Sequence, residues 1–182
     1  MHIEWFGEGE RQIVALHGWG GDHRQFAPIA ARLPAGWRLW SADLPGYGRS
    51  GPPAVWSAAA IVEELAADLD RLGLARARLI GFCSGAILAL LLAQLRPVFV
   101  ERLLLIDPFA YVPWYFRLFL WGPLGARAYR ASFASPAGRR IVTAVLRRLQ
   151  SSDEDFLKAF ERIDHEAALR WLVDHAEDLG VD

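Results

Sequence analysis

Two glycines frame the one cysteine of the chain in the pattern Gly81-x-Cys83-x-Gly85. An apolar run, 77–82, precedes this pattern and a helix-like run, 86–95, follows it. Gly-x-nucleophile-x-Gly is typical of a sharp strand-to-helix turn, whose small flanking residues let one side chain project above a sheet. A thiol in that position can attack a carbonyl carbon. The frame therefore indicates Cys83 as a candidate nucleophile, although a buried cysteine is more often an inert small residue.

Ser84 is the other candidate nucleophile in this stretch. Choosing it would shift the frame and put Phe82 and Ala86 on the flanks, where the Phe ring would crowd the turn. The predicted helix begins near Ser84, and the N–H groups and macrodipole at a helix N-terminus stabilise an anion. We therefore expect a lowered thiol pKa at Cys83, and we expect the Ser84 N–H to form half of an oxyanion hole.

A glycine-rich loop, His17-Gly18-Trp19-Gly20-Gly21, follows a predicted strand at 12–16. Ligands bind at the carboxyl ends of strands in open α/β sheets, and glycines allow backbone N–H groups to approach a substrate oxygen. The Trp19 N–H, beside Gly18, is thus the predicted second oxyanion donor. His17 opens this loop and is not expected to act as a general base. A tight connection without a catalytic role is the competing interpretation.

Alternating strand and helix patterns position these residues. The strands are predicted at 3–6, 12–16, 37–42, 77–82 and 102–106. Helical patterns begin at Asp22 or His23 and again after Ser57, a predicted N-cap, with Gly73 as the stop. This alternation predicts an α/β fold with a mainly parallel sheet and helices on both faces. Asp43 and Ser50 are expected to fix the loop 43–50 by hydrogen bonds to the backbone.

The pattern changes after Asp107. Prolines interrupt the chain, and only helical periodicity follows, at 139–149, 153–163 and 165–179. We therefore divide the chain into a core at 1–110 and an all-helical cap at 111–182. Aromatic residues early in the cap, Tyr111 and Trp114 among them, are expected to line an apolar acyl pocket.

The framed cysteine, the 17–21 loop and the 43–50 loop occur in the order and spacing of α/β-hydrolases. The chain resembles that family, and most closely its capped carboxylesterase branch, in detail over residues 1–110. The resemblance implies an α/β-hydrolase fold and hydrolysis of an ester or thioester. It also implies that His17 supports the shape of the 17–21 loop. That branch uses serine where this chain has Cys83. Dienelactone hydrolases, which the rest of the chain does not resemble, use cysteine in the same frame.

The family order of nucleophile, acid and histidine implies two further strands after the cap. The chain ends where these strands are expected, so we expect the last two family strands to be missing. Asp107 ends the strand after the cysteine strand and is the predicted acid, unless it only caps the turn at Pro108. His165 and His175 are the histidines that follow it, and both are expected on the surface. The identity of a histidine base is therefore left open.

The charge and cysteine content of the chain limit the classes of partner that we expect. The 182 residues carry 20 basic and 21 acidic side chains, which favours a small-molecule acyl substrate over nucleic acid or an anionic membrane. No membrane span is expected, because the apolar run 86–95 is too short. A single cysteine and an N-terminus without an export signal predict a cytoplasmic protein. No metal or organic cofactor is expected, since no Cys/His cluster has ligand spacing.

Two functions follow. The first is an ester or thioester hydrolase that uses Cys83. The second is a catalytically incomplete α/β-hydrolase-like protein, or an N-terminal fragment, that binds an apolar ligand or partner. Missing strands would leave an apolar sheet edge at 102–106, and a homodimer or a partner chain is expected to cover such an edge.

Overall fold

A computed structural model of the chain describes residues 1–108 and 117–148, together with 165, 166 and 169, but not the side chain of Leu146. The chain forms two compact units, Met1–Phe109 and Ala110–Asp182. The predictions for Tyr111, Trp114 and His175, and for the helix at 153–163, fall outside the described residues.

The first unit is built on one sheet of five strands. They are β1 (Ile3–Phe6), β2 (Arg11–Leu16), β3 (Trp37–Ala42), β4 (Ala77–Phe82) and β5 (Val100–Ile106). Their order is β1-β3-β2-β4-β5. β1 runs antiparallel to β3, and every other pair is parallel. The predicted mainly parallel sheet is confirmed.

Helices cover both faces of this sheet. They are α1 (Ala27–Ala30), preceded by a 3-10 helix at His23–Phe26, α2 (Ala58–Arg71) and α3 (Ser84–Leu95). The β2-to-β3 connection runs toward one sheet edge, whereas β3-to-β4 and β4-to-β5 run toward the other. Right-handed crossovers therefore place α1 on one face and α2 with α3 on the opposite face. The contact between α2 and α3 agrees with that arrangement.

The ends of α2 match the sequence prediction, but the helix before it does not. Ser57 Oγ accepts a hydrogen bond from Ala60 N at 3.2 Å, and Gly73 follows the helix with a φ of 73°. The single helix expected after Asp22 is instead a 3-10 helix joined to one short α-helix. Pro28 explains the change, because it has no N–H to continue an α-helical ladder and favours a new helix start.

The core occupies both faces because parallel strands are buried on two sides. On the α1 face, Phe26 packs with Ala15, Leu39 and Ile80. Among the described residues, no helix has both the length and the apolar composition needed to cross a membrane.

The described part of the second unit contains α4 (Gly122–Tyr129) and α5 (Pro136–Arg148), joined by a π-helical turn. α5 begins three residues before the predicted helix at 139–149. The described core of the second unit is aromatic. Tyr129 is fully buried, and its ring centroid lies 4.8 Å from that of Phe133 and 5.6 Å from that of Phe119.

Candidate active site

Cys83 has a strained backbone at the junction of β4 and α3. Its φ is 53° and its ψ is −117°, a region that side-chain-bearing residues rarely occupy. Among the described residues other than glycine, positive φ occurs at Cys83 and at Asp107, where it is 47°. Such conformations cost on the order of 1–3 kcal/mol each and concentrate at functional sites. Both strained residues lie at the carboxyl ends of neighbouring strands.

The two flanking glycines have a steric reason. A Cβ on Gly81 would lie 2.5 Å from Ala86 Cα, and a Cβ on Gly85 would fall even closer to the Leu16 carbonyl oxygen. A Cβ on Gly18 would lie 2.8 Å from Cys83 Cβ. The strand-to-helix turn therefore packs directly against the loop that follows β2, and side chains at these positions would force the two apart.

Burial and three neighbouring groups determine the pKa of the half-buried Cys83 thiol. Burial raises its pKa, backbone hydrogen bonds from Ser84 and Trp19 lower it, and the negative charge of Asp107 raises it. The net pKa lies above the ordinary value, so the expected lowering is wrong. The physical reason is that desolvation outweighs the stabilising N–H groups. The Ser84 and Trp19 N–H groups both interact with the sulfur, and their role as oxyanion donors stays a prediction.

His17 is committed to the loop. The Leu44 N–H donates to His17 Nε2 at 3.0 Å, which leaves the proton on Nδ1, where it is donated to the Gly18 carbonyl oxygen at 2.8 Å. Burial lowers the pKa of His17, against smaller opposing effects of Gly18 and Asp43, so the ring is neutral near pH 7. With both nitrogens engaged, His17 supports the loop as expected and has no free nitrogen to serve as a base.

Asp107 is exposed and lies just beyond β5, next to the strand that carries Cys83. The Cys83 N–H donates to the Ile106 carbonyl oxygen at 3.0 Å, which ties the two strand ends together. The fold therefore brings Asp107 and Cys83 to one edge of the sheet, although its charge opposes formation of the thiolate.

His165 belongs to the second unit and is not a surface residue. It is 3% exposed and its ring stacks on Phe133 with 6.4 Å between centroids. The expectation of an exposed histidine is wrong because the helical pattern around 165 does not show which face meets the aromatic core.

His23 and Asp43 form a buried pair that no sequence pattern predicted. Asp43 Oδ1 accepts a hydrogen bond from His23 Nδ1 at 2.8 Å, and Asp43 Oδ2 accepts one from Arg49 N at 2.8 Å. Ser50 Oγ donates to the Asp43 carbonyl oxygen at 2.7 Å, so the predicted structural role of Asp43 and Ser50 is confirmed. The partner was missed because His23 and Asp43 lie on separate elements with no characteristic spacing.

The parallel sheet, the strained turn and the loop at its edge agree with the comparison to known families. A model of the alpha/beta hydrolase fold matches residues 12–175. The chain belongs to that family.

Individual relatives add detail. The chain is 34% identical over 100 residues to the pimeloyl-[acyl-carrier protein] methyl ester esterase of Neisseria meningitidis serogroup B, a match that covers 55% of this chain and 37% of the relative. The structure of Cfl2 from Burkholderia cenocepacia aligns with a TM-score of 0.78 at 22% identity, covering 98% of this chain and 69% of that one. An esterase from Exiguobacterium antarcticum aligns with a TM-score of 0.75 at 19% identity, covering 95% and 68%. These two structures show the shared fold.

Proposed function

We propose that the protein hydrolyses carboxylic esters or thioesters, with Cys83 as the nucleophile of a nucleophile elbow. One observation carries the proposal: the strained Cys83 places its sulfur where the backbone N–H groups of both Trp19 and Ser84 reach it. Donors that already converge on the nucleophile suit an oxyanion that forms two bonds away from it. The esterase named among the relatives supports the same chemistry.

The reaction begins when the Cys83 sulfur bonds to the carbonyl carbon and the π electrons move to the carbonyl oxygen. The Trp19 and Ser84 N–H groups donate to that oxyanion, beside Gly18. Collapse of the intermediate re-forms the carbonyl and breaks the bond to the alcohol or thiol, which leaves with a proton. Water then attacks the S-acyl group, releasing the acid and returning the proton to the thiol.

The raised pKa of Cys83 makes a base necessary for this cycle. Asp107 is the proposed acid, and its role would be to orient a histidine base. In this family the nucleophile, the acid and the histidine follow one another in that order along the chain. His165 and His175 are the histidines after Asp107 in the chain. The cap at 111–182 is proposed to supply the acyl pocket, with Tyr111 and Trp114 in its lining.

The relative's name suggests a carrier-bound acyl ester as substrate. We therefore propose an ester of that class as the substrate.

The test is turnover of a short-chain p-nitrophenyl ester by the wild type, Cys83→Ala and Cys83→Ser. We expect Cys83→Ala to lose about a thousandfold or more in kcat/KM, because removing the nucleophile leaves only binding and the oxyanion donors. Cys83→Ser retains a nucleophile in the same frame and should keep part of the activity. Glu101→Gln, at the far end of β5, is the control and should match the wild type. Equal rates in wild type and Cys83→Ala would reject the proposal.

A second candidate is a catalytically incomplete member of the family that binds an apolar ligand or a partner. The raised pKa of Cys83 favours it, because a protonated thiol is a poor nucleophile. A protein of this kind would show no Cys83-dependent turnover and would still bind an acyl ligand. The cytoplasmic location stays a prediction from the single cysteine.

A further inference from the structure

Two imidazoles and a carboxylate converge where β1 begins. One metal-ligating atom from each of His2, Glu4 and His23 lies within 4.8 Å of the other two. The rings of His2 and His23 meet edge to face, with 5.2 Å between centroids. No step of the proposed reaction uses these residues.

His23 is held in the form that binds metals. Asp43 is fully buried and its Oδ1 accepts hydrogen bonds from both the backbone N–H and Nδ1 of His23, at 2.6 and 2.8 Å. A carboxylate acceptor at Nδ1 places the ring proton there and leaves the lone pair of Nε2 available. This carboxylate–histidine pairing is the usual support behind a metal-bound imidazole, since it fixes the ring and raises its basicity.

His2 and Glu4 have the spacing of two ligands around one ion. His2 Nε2 lies 3.4 Å from Glu4 Oε2. Within the described part of the chain, His2 Nε2 is buried and has no hydrogen-bond partner. Ligand atoms about 2.1 Å from a tetrahedral ion are separated by about 3.4 Å. The pair therefore has a separation suited to two ligands bridged by an ion.

Backbone contacts to the end of β3 fix both histidines in place. The His2 N–H donates to Ser50 Oγ at 2.8 Å, and the His2 carbonyl oxygen accepts from Asp43 N at 2.9 Å. The His23 carbonyl oxygen accepts from Ser41 Oγ at 2.9 Å. Because one strand end supports both histidines, their separation is set by the fold and little ordering is needed on binding.

We propose that His2, Glu4 and His23 bind a divalent transition-metal ion of the Zn²⁺ class, with water completing its coordination. Two imidazole nitrogens and one carboxylate oxygen suit Zn²⁺ and its neighbours better than Mg²⁺ or Ca²⁺, which prefer oxygen ligands. The side chains of His2 and Glu4 are 27% and 38% exposed, so an ion can enter from solvent. Arg49 lies 3.6 Å from Glu4 and is itself largely exposed, so it can move aside.

The bound ion would tie the edge strand β1 to the 3-10 helix after β2. Binding to the folded chain alone raises its free energy of unfolding. The increase grows with the logarithm of the ratio of free metal concentration to Kd. The site does not depend on the proposed hydrolase chemistry.

The experiment is Zn²⁺ binding by calorimetry and by dialysis with metal analysis. The full chain keeps its own N-terminus, carries no affinity tag and has Cys83→Ala, which removes the thiol as a ligand. We expect one Zn²⁺ per chain and a higher Tm with Zn²⁺ than with a chelator. His2→Ala and Glu4→Gln should each weaken binding at least about tenfold and abolish the Tm increase. Glu8→Gln, an exposed carboxylate beyond β1, is the matched control and should bind as the parent does.

Equal Zn²⁺ binding in the parent and in both ligand variants would overturn the proposal. So would the absence of binding by the parent at about 100 μM Zn²⁺, which is weaker than a functional site requires. If His2→Ala does not fold, Glu4→Gln decides the outcome alone, because it removes one charge from a half-exposed side chain.

Discussion

Groups on different elements have opposite effects on the thiolate form of Cys83. The N–H groups of Trp19 and Ser84 favour the thiolate, whereas burial and the Asp107 charge disfavour it. The protonated thiol therefore predominates near pH 7, and attack on a carbonyl requires a base. The strained φ of Cys83 positions the sulfur without activating it.

Substitution of Asp107 tests this balance. Asp107→Asn removes a negative charge next to the sulfur and should lower the pKa of Cys83, so that alkylation by iodoacetamide at pH 8 becomes faster. The increase should be a few-fold at most and should shrink in high salt, since Asp107 is exposed and screened. Alkylation rates measured from pH 6 to 10 give the titration midpoint directly.

Glu101→Gln serves as the control for this titration, because it removes a carboxylate from the opposite end of the same strand. It should leave the alkylation midpoint unchanged. A midpoint that stays constant or rises in Asp107→Asn would contradict the assignment of Asp107 to the surroundings of Cys83.

At the scale of elements, the site depends on how closely α3 approaches the end of β2. Gly85 lies in the first turn of α3, directly against the carbonyl oxygens of Leu16 and His17. The same approach brings Gly18 next to Cys83 and directs the Trp19 N–H toward the sulfur. The two N–H groups proposed as oxyanion donors thus come from two elements, which approach closely because no side chains lie between them.

Gly85→Ala should lower the free energy of unfolding by about 2 kcal/mol or more, because its Cβ would overlap backbone atoms that cannot rotate away. Gly51→Ala is the matched control: its Cβ would meet nothing within 4 Å, and such a substitution usually changes stability by less than about 0.5 kcal/mol. Urea unfolding followed by tryptophan fluorescence measures both. Equal midpoints for the two variants would contradict the close approach.

At the scale of the whole molecule, β5 forms one edge of the sheet made by the described residues. Leu104, in the middle of this strand, is 53% exposed. An apolar edge strand offers unpaired backbone groups and apolar side chains to another chain. We propose that a second copy covers the β5 edge of this chain.

Leu104→Lys should shift the protein toward monomer, because a charge at the proposed interface would lose its hydration on pairing. Light scattering after size exclusion, over a range of protein concentrations, measures the mass. Leu72→Lys, at an exposed position after α2, controls for the loss of any exposed leucine and should leave the mass unchanged. A wild type that is monomeric at every concentration would refute the dimer.

Local patterns in the sequence predict most of the first unit. The strands at 3–6, 37–42 and 77–82 have the expected ends, because short runs rich in bulky apolar residues and bounded by turn residues indicate strands from local sequence alone. The Gly81-x-Cys83-x-Gly85 spacing likewise identified the strained turn, since a requirement for small residues is written directly in the sequence.

Properties that depend on distant residues required the folded chain. Burial and Asp107 decide the pKa of Cys83 against the helix N-terminus, and no local pattern contains the extent of burial. His23 pairs with Asp43, and His2 and Glu4 lie close to this pair. They meet because three separate stretches of chain come together at the end of β3. A short-range pattern specifies local conformation, whereas desolvation and ligand geometry arise only when elements far apart in the chain share one space.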